Sequence, residues 1–179
     1  MRAVLDANVL FPTILREILT DLAAAGLFAP LWSPRILAEW RHAAARLGAD
    51  QDAVAGAEIA LLRARFPTAE VADDGMRAID LHFPDPADRH VVETALAGKA
   101  DLIVTANLRD FPRNLMAGLG LRAMHPDAFL LNRLCDHPQA VNAAIMAARD
   151  KANALGGAMT AAEMLKRCRL PRTAKAAKG

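Results

Sequence analysis

The segment Asp101-Leu102-Ile103-Val104-Thr105 constrains the fold of this chain more than any other. A short, unbroken, β-branched apolar run has no polar side to turn toward water. It belongs in a strand buried on both faces, which is the habit of parallel sheets. Arg2-Ala3-Val4-Leu5-Asp6 reads as a second buried strand that stops at an acid, and Leu121-Arg122-Ala123-Met124 as a third. Parallel strands need crossover connections, and helix signals lie between these candidates. The expected fold class is α/β, a short parallel sheet with helices on both faces.

The helix signals are specific. Pro12 suits the first turn of a helix reaching about Ala25 and ending near Gly26. Ser33-Pro34 is an N-cap followed by proline, launching a helix with Ile36, Leu37 and Trp40 on one face and Glu39 off it. Gly48 ends that helix, and Asp50 can cap the next, which breaks at Pro67. Asp85-Pro86 repeats the cap-then-proline device and starts a helix through Val91, Val92, Ala95 and Leu96 to Gly98. From Pro126 onward the pattern is helical, and Thr160-Ala161-Ala162-Glu163 is a capping-box signature. That last helix carries Met164, Leu165 and Cys168 on an apolar stripe and should dock on the rest of the chain or on a second subunit, because so short a helix is marginal alone.

With 54% hydrophobic residues, 179 residues can build one α/β domain with a full core and an appendage. Charged residues interrupt every apolar run before it reaches membrane-spanning length, and Asp6 breaks the opening segment too early for a secretory leader. A cytoplasmic protein without membrane contact is the expectation. Cys135 and Cys168 have no His or Cys at metal-finger spacing, so reduced thiols are expected. The net charge of +2 hides an asymmetry: residues 166–179 hold six basic residues and no acid, leaving −4 over residues 1–165. An acidic body with a basic end suits an enzyme whose acids hold cations and whose tail touches phosphate. On composition alone, a disordered, solubilising terminus is the plainer reading.

Acids and amides stand where strands or helices end: Asp6 with Asn8, Glu39, Asp85 with Asp88, Asn107, and Asp110. In open parallel sheets, ligands collect at the carboxyl ends of the strands, where Asp6 and Thr105-Ala106-Asn107 would lie. Oxygen-only donors select hard cations such as Mg²⁺ or Mn²⁺. One such cation lowers the pKa of a bound water and presents hydroxide to a phosphodiester; a second, ~4 Å away, steadies the leaving oxygen. Each residue also has an ordinary structural use. Asp85 is a good N-cap, Asp88 suits the first helical turn and could complete a capping box with Asp85, Glu39 could be a solvated helix residue, and Asp110 could end a turn. Asp6 directly after a buried Val-Leu pair has the fewest such explanations.

Four blocks resemble, in order, those of the PIN domain: Leu5-Asp6-Ala7-Asn8-Val9-Leu10, Ile36-Leu37-Ala38-Glu39-Trp40, Asp85-Pro86-Ala87-Asp88-Arg89-His90 and Ile103-Val104-Thr105-Ala106-Asn107-Leu108-Arg109-Asp110-Phe111. The similarity is nearest the bacterial branch of VapC-type toxins. It implies a PIN-like three-layer fold over residues 1–130 and a helical extension over 131–170, and composition adds a basic disordered tail over 171–179. It further implies a ribonuclease in which Asp6, Glu39, Asp88 and Asp110 are the catalytic, cation-holding acids. Many relatives place an acid where Asn107 stands, so the fourth acid falls on Asp110, with Asn107 and Thr105 as supporting groups. Asn8 would lend a neutral oxygen or hold Asp6, and Asp85 would cap, ligate or both. Arg41, Arg89, Arg109 and Arg113 flank these blocks and suit phosphate contacts, or are ordinary surface arginines. His90 reads as packed or surface rather than as a general base.

The implied activity is endoribonuclease cleavage leaving a 5′-phosphate, with RNA as substrate, a cognate antitoxin as partner and a homodimer as the assembly. Phosphoryl transfer to an aspartate is a rival, but the dehalogenase type wants an acid where Asn8 stands. A non-catalytic PIN-like scaffold that binds RNA or a partner is the other alternative.

Overall fold

The computed structural model describes residues 1–72 and 75–177, and the chain divides into two compact units. The first comprises Met1–Phe11 with Ala29–Met124; the second comprises Pro12–Phe28 with the chain from His125 onward.

The first unit is built on the sheet that the apolar runs demand. β1 (Arg2–Leu5), β2 (Ala29–Leu31), β3 (Leu102–Val104) and β4 (Ala123–Met124) form a sheet in the order β2-β1-β3-β4, every pair parallel. Val4 lies opposite both Leu31 and Ile103, and residues 3–5 and 102–104 are buried. β2 is absent from the sequence reading because it is three residues long and contains Pro30. Proline is tolerated there because β2 is an edge strand, where a missing N–H leaves no central ladder bond unmade. Strand order reverses between β1 and β3, which makes their carboxyl ends the topological switch point.

The helices follow their caps, with three corrections. The chain does not wait for Pro12 to become helical: α1 (Ala7–Leu10) starts straight from the strand, with the Asp6 carbonyl accepting from Val9 and Leu10. Pro12 then stands outside α2 (Thr13–Ala24) as its N-cap residue, since a residue without an N–H cannot continue the ladder. α3 (Pro34–Ala45) is capped as expected, the Ser33 hydroxyl accepting from the Ile36 N–H at 3.3 Å, and it buries Ile36, Leu37, Trp40 and Ala44. α4 (Ala49–Arg65) packs on α3 but takes Gly48, not Asp50, as its N-cap. Gly48 has φ +137, a conformation open to glycine, and Asp50 falls inside the first turn where its charge favours the helix dipole. Third, Asp85-Pro86 opens a 3-10 turn, Pro86–Asp88, and only then does α5 (Arg89–Ala97) begin. α5 packs on β1 and β3. At its end a Cβ on Gly98 would meet Leu31 Cδ1 at 2.8 Å and the Thr94 carbonyl at 3.0 Å, so any side chain here would have to displace Leu31. α6 (Arg113–Gly118) lies between β3 and β4.

The second unit contains α2, α7 (Pro126–Asp136), α8 (Pro138–Ala154), α9 (Ala161–Arg167) and α10 (Pro171–Ala176). α2 packs on α8, α7 on α8 and α10, and α9 on α10. The capping box forms, with the Thr160 hydroxyl accepting from Glu163 N–H and the Glu163 carboxylate accepting from Thr160 N–H. Met164 and Leu165 are fully buried. The expected disorder beyond Pro171 does not hold for residues 171–176. Buried Asp127 accepts hydrogen bonds from the N–H groups of Arg172 and Thr173 and from the Thr173 hydroxyl, at 3.0, 2.8 and 2.7 Å. These satisfy the orphan donors of a helix start and fasten a segment whose composition alone gives no reason to order. Lys178 and Gly179 lie outside the described residues. Cys135 and Cys168 are free thiols, and no helix among the described residues is long and apolar enough to cross a membrane.

Candidate active site

Asp6 sits where β1 ends, and Thr105 where β3 ends. The Asp6 N–H donates to the Val104 carbonyl at 3.1 Å, continuing the ladder one residue past β1. This register delivers the Asp6 carboxylate to the Thr105 hydroxyl, which donates to Asp6 Oδ2 at 2.6 Å. The Asn8 side-chain amide donates to the same oxygen at 2.6 Å and to Thr105 Oγ1 at 3.0 Å. The Asn8 carbonyl accepts from the Ala106 N–H at 2.9 Å, and Thr105 Oγ1 accepts from the Asn107 N–H at 3.1 Å. Asn8 therefore holds Asp6 in place, with its own carbonyl oxygen turned to the backbone. Burial pushes the Asp6 carboxyl above its ordinary value against the Thr105 and Ala7 hydrogen bonds, the Glu39 charge raises it further, and His90 opposes.

The other acids arrive from three separate segments. Asp88 ends the 3-10 turn and makes no capping hydrogen bond with its side chain. Capping falls to Asp85 alone, whose Oδ1 accepts from the Ala87 N–H at 2.8 Å, so the capping box expected between the two does not form. Left free of that duty, Asp88 is pushed up to about 6, by burial first, then by the Asp6 charge, by a hydrogen bond shared with Asp110, and by the Asp110 and Asp85 charges. Asp110 is buried in the short 3-10 turn Leu108–Asp110 and accepts a hydrogen bond from the Asn107 side-chain amide. Glu39 comes from α3, its carboxylate 2.8 Å from His90 Nε2 and 3.6 Å from Arg35 Nε. Neither imidazole nitrogen has a hydrogen-bond partner, so the His90 approach is a close polar contact without hydrogen-bond alignment.

Asp6 is thus coupled to Glu39 and to Asp88, and Asp88 to Asp110. Among the described residues, however, no three His, Cys, Asp or Glu side chains are gathered closely enough to hold a metal ion as they stand. The donor chemistry still fits a hard divalent cation: the acids are oxygen donors, partly buried, and two of them are held above their ordinary values by crowding and burial that a cation would relieve.

The arginines separate. Arg41 is engaged with Asp52 in a two-pronged contact at 2.8 and 2.9 Å on the surface. Arg89 Nη1 reaches the Ile79 carbonyl at 3.4 Å. Arg109 Nε donates to Asn107 Oδ1 at 3.1 Å with its side chain 86% exposed, and Arg113 is exposed. The sequence reading missed two contributors. Arg35 links Glu39 to the Ala87 carbonyl, the latter at 3.3 Å. Glu93, almost fully buried, accepts from the Arg77 and Ala78 N–H groups at 2.8 and 2.6 Å and so fastens the stretch leading to Asp85. An acid within the apolar stretch Val91–Ala95 was the available signal for Glu93; for Arg35 there was none.

The family described as PIN domain matches residues 2–109, which takes in every candidate acid but Asp110, one position beyond. A Mycobacterium tuberculosis (strain ATCC 25618 / H37Rv) protein described as "Putative ribonuclease VapC50" is 36% identical over 74 residues, 41% of this chain. The match spans 42% of that curated relative's length. No solved structure matches.

Proposed function

We propose, from the premise that this chain belongs to the PIN-domain family, that it is a metal-dependent endoribonuclease and the toxin of a type II toxin–antitoxin pair. The observation that carries the reading is Asp88, pushed up to about 6 by burial, by the Asp6 charge and by the hydrogen bond its protonated carboxyl donates to Asp110. The charges of Asp6 and Asp110, from two other segments of the chain, disfavour ionised Asp88 unless a proton or cation is present.

In this reading Asp6, Glu39, Asp88 and Asp110 hold Mg²⁺ or Mn²⁺. The bound cation supplies Lewis acidity, activating water and neutralising phosphate charge. Thr105 and Asn8 aim the Asp6 carboxylate, Asn107 holds Asp110, and Asp85 caps the turn that presents Asp88. Arg89, Arg109 and Arg113 take phosphate oxygens of single-stranded RNA, and hydrolysis leaves a 5′-phosphate. A cognate antitoxin restrains the enzyme, the active form is a homodimer, and it works in the cytoplasm.

A second reading is a PIN-like scaffold that binds RNA or a partner without cutting. It is favoured by the lack, among the described residues, of a ready-made group of three metal-holding side chains. Melting temperature measured with and without Mn²⁺ separates the two. A nuclease site gives a Mn²⁺-dependent rise that Asp6→Asn removes; the same melting curve with and without Mn²⁺ supports the scaffold.

A further inference from the structure

Directly past Asp110 the first unit carries a groove of about 560 Å³ that the acidic site does not use. It is lined by Leu108–Arg109, Phe111–Arg113, part of α6 and residues 121–124 leading into β4. Its floor is apolar, with Phe111, Met116 and Leu121 buried beneath it, and Leu108 is exposed at its mouth. Three arginines, Arg109, Arg113 and Arg122, stand in its wall, and no acid lines it. Arg113 and Arg122 are exposed, and their side chains form no ion pair among the described residues. The body of the chain is net acidic, so three arginines around one apolar groove are a local reversal of its charge.

We propose that this groove is a nucleotide subsite, seating an unstacked base of single-stranded RNA next to the phosphodiester held at the acidic cluster. The chemistry is complementary on both counts. An apolar floor takes the face of a base, and guanidinium groups take the flanking phosphates or stack on the base. Size agrees, since pockets for small ligands run from about 300 to 1,000 Å³. Continuity supports the occupant: Leu108–Asp110 is one 3-10 turn, contributing Asp110 to the acidic site and Leu108 and Arg109 to the groove, which places the groove beside the acids. The subsite rests on the nuclease reading for its position and on its own lining for its ligand. It selects for unpaired RNA, because a base within a duplex cannot leave its stack to enter.

The test uses the full chain and a single-stranded RNA of about ten nucleotides. Binding is measured in EDTA by fluorescence anisotropy across a salt series, and cleavage is measured separately with Mn²⁺. Arg113→Gln/Arg122→Gln changes two exposed side chains and keeps the melting temperature. It should weaken binding about tenfold and lower the slope of log affinity against log salt by about 1.4, two phosphate contacts at about 0.7 each on a single strand. An RNA of the same length with abasic positions should bind wild type more weakly than intact RNA, and the two RNAs should bind equally after Phe111→Ala. Equal binding of wild type and the arginine variant, or equal binding of intact and abasic RNA by wild type, overturns the subsite even if cleavage is normal. Wild type that binds as described yet never cuts leaves the subsite standing and removes the nuclease reading. Wild type that binds no RNA overturns the subsite. A groove that binds an acidic peptide but not RNA assigns it to a protein partner and also overturns the proposal.

Discussion

Replacing Asp88 by Asn should make the metal-free protein more stable at neutral pH and remove much of its pH dependence. The ordinary aspartate value is 3.8 and Asp88 is pushed up to about 6. Between those values the unfolded chain has lost the proton that folded Asp88 keeps. Stability therefore falls as pH rises from about 4, and the full cost of the charge is in place above about 6. At 1.36 kcal/mol per pH unit the ionised form carries a penalty of about 3 kcal/mol. Asp88 is partly open to solvent, which screens its neighbours' charges, and a discounted cost of about 1.5 kcal/mol is expected. Asn cannot ionise, yet its amide donates to Asp110 as the protonated carboxyl does. Urea unfolding in EDTA at a series of pH values reads the difference directly. Wild type and Asp88→Asn should match near pH 4, and the variant should gain about 1.5 kcal/mol by pH 7.5. Asp6 gives both proteins a slope of the same sign, so the difference between them reads position 88 together with its coupling to Asp6. A gap that does not change with pH, or a variant less stable than wild type at pH 7.5, would refute the reasoning.

Further outcomes follow from other contacts. Thr105→Val keeps side-chain size but takes from Asp6 its 2.6 Å hydrogen bond; a loss of about 1–3 kcal/mol in urea unfolding is expected, with RNA cleavage falling further than stability explains. Asp85→Asn should unfold within a few tenths of a kcal/mol of wild type while Asp85→Ala loses about 1 kcal/mol, because Asn can still cap the Ala87 N–H. Asp127→Ala unties the start of α10; limited proteolysis should then remove residues beyond Leu170 from the variant and spare them in wild type.

The sequence discloses what depends on strong local rules. The Leu102–Val104 strand, the Ser33 cap and the Thr160/Glu163 capping box all stand where their residues put them. It conceals what tertiary contact decides. β2 is three residues with a proline, and only pairing with β1 makes it a strand. The 171–176 segment reads as a loose basic end because Asp127, which orders it, lies more than forty positions earlier. Within the site, the resemblance nominates Asp6, Glu39, Asp88 and Asp110, and leaves open whether Asp85 only caps or also ligates. The structure puts Asp85 on the Ala87 N–H and Asp88 under the charges of Asp6 and Asp110. The sequence order likewise gives no sign that Asp52, a turn into α4, pairs with Arg41.

The most direct test of the central claim is the cleavage of 5′-labelled single-stranded RNA by the full chain with Mg²⁺ or Mn²⁺, with EDTA, and with Asp6→Asn in place of wild type. The account predicts internal cuts by wild type with either cation, new fragments bearing 5′-phosphates, and intact RNA in EDTA or with the variant. Cleavage that persists in EDTA, or that Asp6→Asn performs at the wild-type rate, contradicts it.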